Sequence, residues 1–353
     1  MRHWLRVLVL CLLAGPALVG CSNISYYLQS ADGHLELLAA RQSVDKIAND
    51  PEQPEQLRSQ MVLARDIRQF ATDELALPDN KSYKTYVDVG RDYVTVAVFA
   101  APEFSFTPKV WCFPVFGCVP YRAHFSLDTA RAERDELQAQ GYDVHLSGVT
   151  AYSTLGWTSD PLLNTMFRDD ESHLAAVVFH ELAHQKLYFR DDSAFNEAFA
   201  VAVERTGVQK WLQQQGKTSG LRQYDLSDQR MADFLGLIDQ TRATLNELYA
   251  STVSNEQKRA AKEAAFERLR ANYRQLRDTK WDGYDGYDGW FESTINNARI
   301  AATAVYTDLV PDFLRLFEIC GADYPRFYKS VENLGSIERS KRTDALRNVQ
   351  TCA

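Results

Sequence analysis

Two histidines stand four residues apart, with a glutamate directly after the first, in VVFHELAHQKLYFRDDSAFNEAFA, residues 177–200. On an α-helix this spacing puts His180 and His184 on one face, one turn apart, so that two imidazole nitrogens can converge on a single ion. Glu181 projects beside them, where a carboxylate can hold a water and take its proton. The flanking residues Ala175, Ala176, Val177, Val178, Phe179, Leu182 and Ala183 make the helix apolar nearly all round, the pattern of a buried helix. Imidazoles and a carboxylate in such a helix need compensation, and a divalent cation, Zn2+ for this donor set, supplies it.

A zinc site that keeps one position for water needs a third protein ligand. Downstream stand Asp191, Asp192, Glu197 and Glu204. With the first helix ending near Phe189, the chain runs about 7–8 Å past His184 before it turns at Arg190–Asp192, with Ser193 as N-cap of the second helix. Glu197 lies four residues into that helix, about 6 Å, and returns level with His184; Glu204, at about 16 Å, overshoots by roughly two turns. Chain length therefore selects Glu197, with the turn aspartates and Glu204 as alternatives. Alanines 183, 198, 200 and 202 would let the two helices approach closely.

These residues must be positioned by the rest of a 353-residue chain with 45% hydrophobic and 12% aromatic residues, a globular composition. A net charge of -8 argues against nucleic acid as a partner. Residues 1–20 read as a signal peptide, with Arg2 and Arg6 before the apolar run from Val7, too short to span a bilayer. Leu18-Val19-Gly20-Cys21 resembles the lipobox of bacterial lipoproteins, which implies acylation of Cys21. Ser22 resembles outer-membrane sorting, which places the protein on the periplasmic face of the envelope. Of six cysteines, Cys112, Cys118, Cys320 and Cys352 then remain in an oxidising compartment and are expected as the pairs Cys112–Cys118 and Cys320–Cys352.

The expected fold is α+β and predominantly helical. Residues 21–80 read as a helical segment and 81–225 as a small antiparallel sheet plus the metal-binding helices. Residues 226–280 read as a helical hairpin turning near Ser254, either a solvated arm or a partner-binding coiled coil, and 281–353 as C-terminal helices. From about residue 24 these form one catalytic unit. WDGYDGYDGW, residues 281–290, lacks the ligand spacing of a calcium loop and reads as an aromatic turn.

H180-E-L-A-H184 followed by N196-E197-A-F-A resembles the gluzincin pattern of zinc peptidases, although only 12 residues separate His184 from Glu197. With the lipobox, AYSTLGWTSDPLL at 151–163 and NNARIAATAVY at 296–306, the chain resembles the zinc-dependent aminopeptidase family of bacterial lipoproteins. That resemblance implies a zincin-like fold, a peptide substrate and an exopeptidase activity. Glu181 would be the general base, and Tyr306, Tyr152 and Tyr188 are candidates to stabilise the oxyanion, the resemblance favouring Tyr306. Gly148, Ala151 and Tyr152 would bind substrate backbone by strand addition. Asp160 or a residue of the 282–292 turn would hold the substrate amine. An envelope zinc endopeptidase and a non-catalytic, partner-binding lipoprotein are the competing readings. Oligomeric state and side-chain preference are not encoded in any of these motifs.

Overall fold

The structure, a computed structural model, describes residues 26–113, 117–167, 171–304 and 309–353. Cys21 and Tyr306, and with them the lipobox, lie outside the described residues. Among the described residues no helix is long and apolar enough to cross a membrane.

The chain begins with helix α1 (26–39), then β1 (Gln42–Ser43), α2 (Val44–Asn49) and α3 (Glu55–Asp73). Strands β2 (Thr85–Val87), β3 (Thr95–Pro102), β4 (Trp111–Phe113), β5 (Gly117–Val119) and β6 (Tyr121–His124) follow, then α4 (Leu127–Ala139), β7 (Tyr142–Val149) and β8 (Leu162–Leu163). Next come the two metal-candidate helices, α5 (Glu171–Lys186) and α6 (Ser193–Gln214). The rest is helical: α7 (Thr218–Ala250), α8 (Asn255–Thr279), α9 (Asp288–Glu292), α10 (Asn297–Ala304), α11 (Val310–Ile319), α12 (Tyr324–Gly335) and α13 (Arg339–Arg347).

This is the expected predominantly helical α+β chain, but its strands form three small sheets rather than one. The antiparallel sheet has the order β6-β3-β7, with Phe99 paired to Tyr121 on one side and His145 on the other. A second sheet, β1-β2-β8, includes a parallel pair, and β4 with β5 forms a hairpin. Alternation along β3 divides the main sheet: Val96, Val98 and Ala100 pack under α4, while Ala97, Phe99 and Ala101 face α10.

Helices α5 and α6 sit in the largest core because almost every side of each is apolar; Phe179, Leu182, Ala183, Phe199, Ala200 and Val203 are fully buried. Phe70 of α3 stacks on Phe179 at 5.8 Å, and Phe195 and Phe199 of α6 meet Phe313 of α11 at 4.8 and 6.0 Å. Gly207 is a packing requirement at the crossing, since a Cβ there would lie 2.8 Å from both Leu75 and Phe179.

The hairpin of α7 and α8 starts at Thr218, eight residues before the expected boundary, and turns at Ser254, whose hydroxyl caps Gln257 N while Gln257 caps Ser254 N. It is not a free arm. Phe234, Ile238, Leu245, Phe266, Leu269 and Tyr273 form a second core with Trp281, Phe291 and Ile300, so the aromatic turn serves as the hairpin's base. The C-terminal helices end in two short ones, α12 and α13.

Both expected disulfides are present. Cys112 and Cys118 face each other across the β4–β5 hairpin, and Cys320–Cys352 ties the chain end to α11.

Candidate metal centre

Helix α5 stops at Lys186, three residues earlier than chain-length reasoning places it, and the turn to α6 covers 187–192. Asn196, fully buried, explains the early stop: its Oδ1 accepts from Phe189 N at 2.8 Å and its Nδ2 donates to Phe189 O at 2.7 Å. The turn's backbone is thus satisfied by a side chain of the following helix. Asp192, not Ser193, occupies the N-cap position of α6, and it makes no side-chain cap because its carboxylate is taken by Arg342 of α13. The Arg342 guanidinium also lies 5.2 Å from both the Phe189 and Phe195 rings. Gly335 leaves room for this arrangement, since a Cβ there would collide with Phe189.

The result is convergence. His180 Nε2 and His184 Nε2 are 3.2 Å apart, and Glu197 Oε2 lies 3.3 Å from the first and 3.6 Å from the second. These three are a cluster of the described residues able to hold a metal ion. A tetrahedral ion with ligands at 2.0–2.1 Å separates them by about 3.3–3.4 Å, so the donor set fits Zn2+ in kind and in spacing. Asp191 and Asp192 point elsewhere: Asp191 accepts from Cys118 N at 2.7 Å, and Asp192 is held by Arg342.

Glu204, the alternative that chain length disfavours as a ligand, stands behind His180 instead. Its Oε2 sits 3.0 Å from His180 Nδ1, so that nitrogen donates to the carboxylate and Nε2 is left to face the cluster. Burial opposes charge on His180, but the hydrogen bonds and charges of Glu197 and Glu204 outweigh it and push its pKa well up. Burial likewise opposes charge on Glu197, yet His184 and His180 hold its carboxyl below the usual carboxylate range. The two carboxylates thus favour positive charge at this point, which a proton or a divalent cation can supply.

Glu181 is enclosed beside the two histidines. Burial raises its carboxyl pKa against the pull of His180 and His184, with a smaller lowering from the nearby Ser153 hydroxyl. Ser153 follows directly on Ala151 and Tyr152, whose backbone has no backbone-to-backbone hydrogen bond among the described residues. Gly148, four residues before Tyr152, is exposed in β7 and pairs with Val96. The Tyr152 ring is wedged 5.4 Å from Phe125 and 5.7 Å from His34, and burial lifts its pKa to about 12, which makes it a packing residue.

A tyrosine that no motif announced is nearer the cluster. Tyr121, at the start of edge strand β6, is raised in pKa first by burial, then by the charges of Glu197 and Glu181, and by the neighbouring Tyr188. Its ring rests 5.5 Å from Phe99. The hairpin just before it is tethered to the metal turn through Cys118 N and Asp191. Tyr188 is raised in pKa by burial and by Glu197. Only the sheet register could have pointed to Tyr121, and that is a tertiary property.

Asp160 does not stand free to bind a substrate amine. It is 1% exposed and accepts from Thr154 Oγ1 at 2.6 Å, Thr154 N at 3.0 Å and Gln185 Nε2 at 3.1 Å. Asp288 in the aromatic turn is engaged by Tyr273 and Arg277.

A family model described as "Putative aminopeptidase" matches residues 25–346. No curated protein and no solved structure matches the chain.

Proposed function

The chain belongs to the family described as "Putative aminopeptidase", and on that premise we propose a zinc-dependent peptidase that removes N-terminal residues from peptides, with His180, His184 and Glu197 as the metal ligands. The observation that supports it most is the convergence of three donor atoms, 3.2 to 3.6 Å apart, beside a half-buried carboxylate one position from a proposed ligand. Zinc in this set supplies Lewis acidity, polarising a scissile carbonyl and making water acidic near neutral pH.

The chain's own residues do the remainder. Glu181 takes the proton of the attacking water and passes it to the leaving amine; its raised pKa suits a group that must hold and then release a proton. Tyr121 and Tyr188 carry hydroxyls beside Glu197 and are the donors we assign to the developing oxyanion. Glu204 holds His180 in the tautomer that presents Nε2. Extended substrate lies along the segment at Ala151 and Tyr152, which continues from edge strand β7.

The proposal includes attachment to the periplasmic face of the outer membrane by lipid on Cys21, supported by Leu18-Val19-Gly20-Cys21-Ser22. The endopeptidase reading is favoured by one observation: Asp160, and Asp288 among the acidic residues of the 282–292 turn, are engaged by other groups. Hydrolysis of aminoacyl arylamides against N-blocked peptides separates the two, with metal content measured in parallel and Glu181→Gln as control. Arylamide cleavage that Glu181→Gln abolishes while zinc stays bound is the expected result. Cleavage of blocked peptides alone defeats the exopeptidase reading, and absence of zinc defeats both.

A further inference from the structure

The loop 153–160 is anchored at nearly every polar group and yet displays a tryptophan to solvent. Asp160 ties Thr154 and Thr158 together and reaches Gln185, the residue after the His184 ligand. Gln185 in turn accepts from Asn80 Nδ2 at 2.7 Å. The loop's base is fixed to the neighbouring segment through Tyr83 N to Asp160 O at 2.6 Å and Asp160 N to Ser82 Oγ at 3.3 Å. Leu155 and Gly156 adopt positive φ at 55° and 79°, and Trp157 N donates to Thr154 O at 3.1 Å, closing a tight turn.

At the tip, Trp157 is 73% exposed. Tryptophan is seldom left so open, and a flexible loop would fold it down onto the surface. This loop cannot, because its inner end is pinned to α5. The same inner end carries Ser153, whose hydroxyl is close enough to Glu181 to lower its carboxyl pKa. The Trp157 Cα lies within about 11 Å of the Ser153 Cα, one peptide step plus the width of a turn. About three residues of extended peptide cover that distance.

We propose that Trp157 is a specificity-determining residue whose indole receives an apolar or aromatic side chain of a peptide held at the α5–α6 cluster. The inference rests on the peptidase reading above. A rigid aromatic platform offers contact area with little entropy to lose on binding. The loop contains no Lys or Arg and surrounds Trp157 with hydroxyls from Thr154, Thr158 and Ser159, which is not the basic, apolar setting of a bilayer contact.

The test uses the full chain in detergent and two peptides that differ only in Phe or Ser beside the scissile bond. Trp157→Ala is expected to raise KM for the Phe peptide about tenfold, with kcat and the Ser peptide little changed, and Trp157→Phe to retain most of the preference. An equal change on both peptides, or none on either, overturns the proposal. Tryptophan emission in the Glu181→Gln background reads binding without turnover. A response to the Phe peptide that Trp157→Phe removes supports the platform even where the wild-type chain cleaves nothing, the outcome in which the peptidase reading alone fails. A blue shift with phosphatidylglycerol vesicles and no response to peptide overturns it in favour of a membrane contact.

Discussion

Glu204 Oε2 stands 3.0 Å from His180 Nδ1, one ring away from the point where His180, His184 and Glu197 converge. The carboxylate sits two helical turns beyond Glu197 on the same face of α6, so a single helix furnishes both a proposed ligand and the group that orients another. His184 has no such support among the described residues, where its buried Nδ1 finds no hydrogen-bond partner. Orientation of the pair therefore depends on His180.

Replacing Glu204 with alanine should leave the fold intact and weaken zinc binding by about 10- to 100-fold, the usual effect of removing a partner behind a ligating histidine. Glu204→Gln keeps an acceptor and should fall between the two. Competition with a chromogenic chelator measures both. Affinity equal to wild type in Glu204→Ala would mean that α5 alone fixes the ring.

The turn depends on Asn196 in a comparable way. Its alanine variant leaves Phe189 N without its side-chain partner and Phe189 O with only the longer bond from Asp192 N at 3.3 Å, a loss of about 1–3 kcal/mol for the group left unpaired. A fall in thermal midpoint accompanied by weaker zinc binding is expected in Asn196→Ala. A fall without any change in zinc binding would separate the turn from the site.

The helix face of His180 and His184 was legible in the sequence because it needs one helix and one period. Glu197 was legible because helix rise limits how far a chain can return. The cap was misread at Ser193, since a carboxylate bound by Arg342, 150 residues away, does not cap its own helix. The end of α5 was misread because Asn196 looks like any polar residue in a helix until its partners are known. Tyr121 and the packing of the hairpin onto the aromatic turn were invisible for the same reason: both depend on register and on contacts between distant segments. Cysteine pairing was readable from parity and spacing, and the tether of the first pair to Asp191 was not.

The two disulfides should differ in what their loss does. In the loop-entropy account, Cys320–Cys352, spanning 32 residues, contributes about 3.7 kcal/mol, and Cys112–Cys118, spanning 6, about 2.2 kcal/mol. Paired alanine substitutions should therefore lower the denaturation midpoint more for the longer loop. Only the shorter one borders the site, through Cys118 N and Asp191, so only its removal should also weaken zinc binding. Equal effects on the metal from both double variants would contradict the tether.

His145 gives the protein an acid limit separate from its carboxylates. It lies in β7 across from Phe99, under α10, and burial, with Arg299 nearby, lowers its pKa to about 4. Unfolding restores the ordinary value near 6.5, so between these two pH values the unfolded chain binds more protons than the folded one. Stability contributed by the neutral ring is complete above about pH 6.5 and is lost as pH falls toward 4, at most about 3 kcal/mol from a shift of this size. His145→Phe removes the titration and keeps an aromatic ring against Phe99. Its thermal midpoint should fall less than that of the wild type as the buffer is taken from pH 7 to pH 4. Parallel curves for the two proteins would show that the ring is charged, or solvated, in the folded chain.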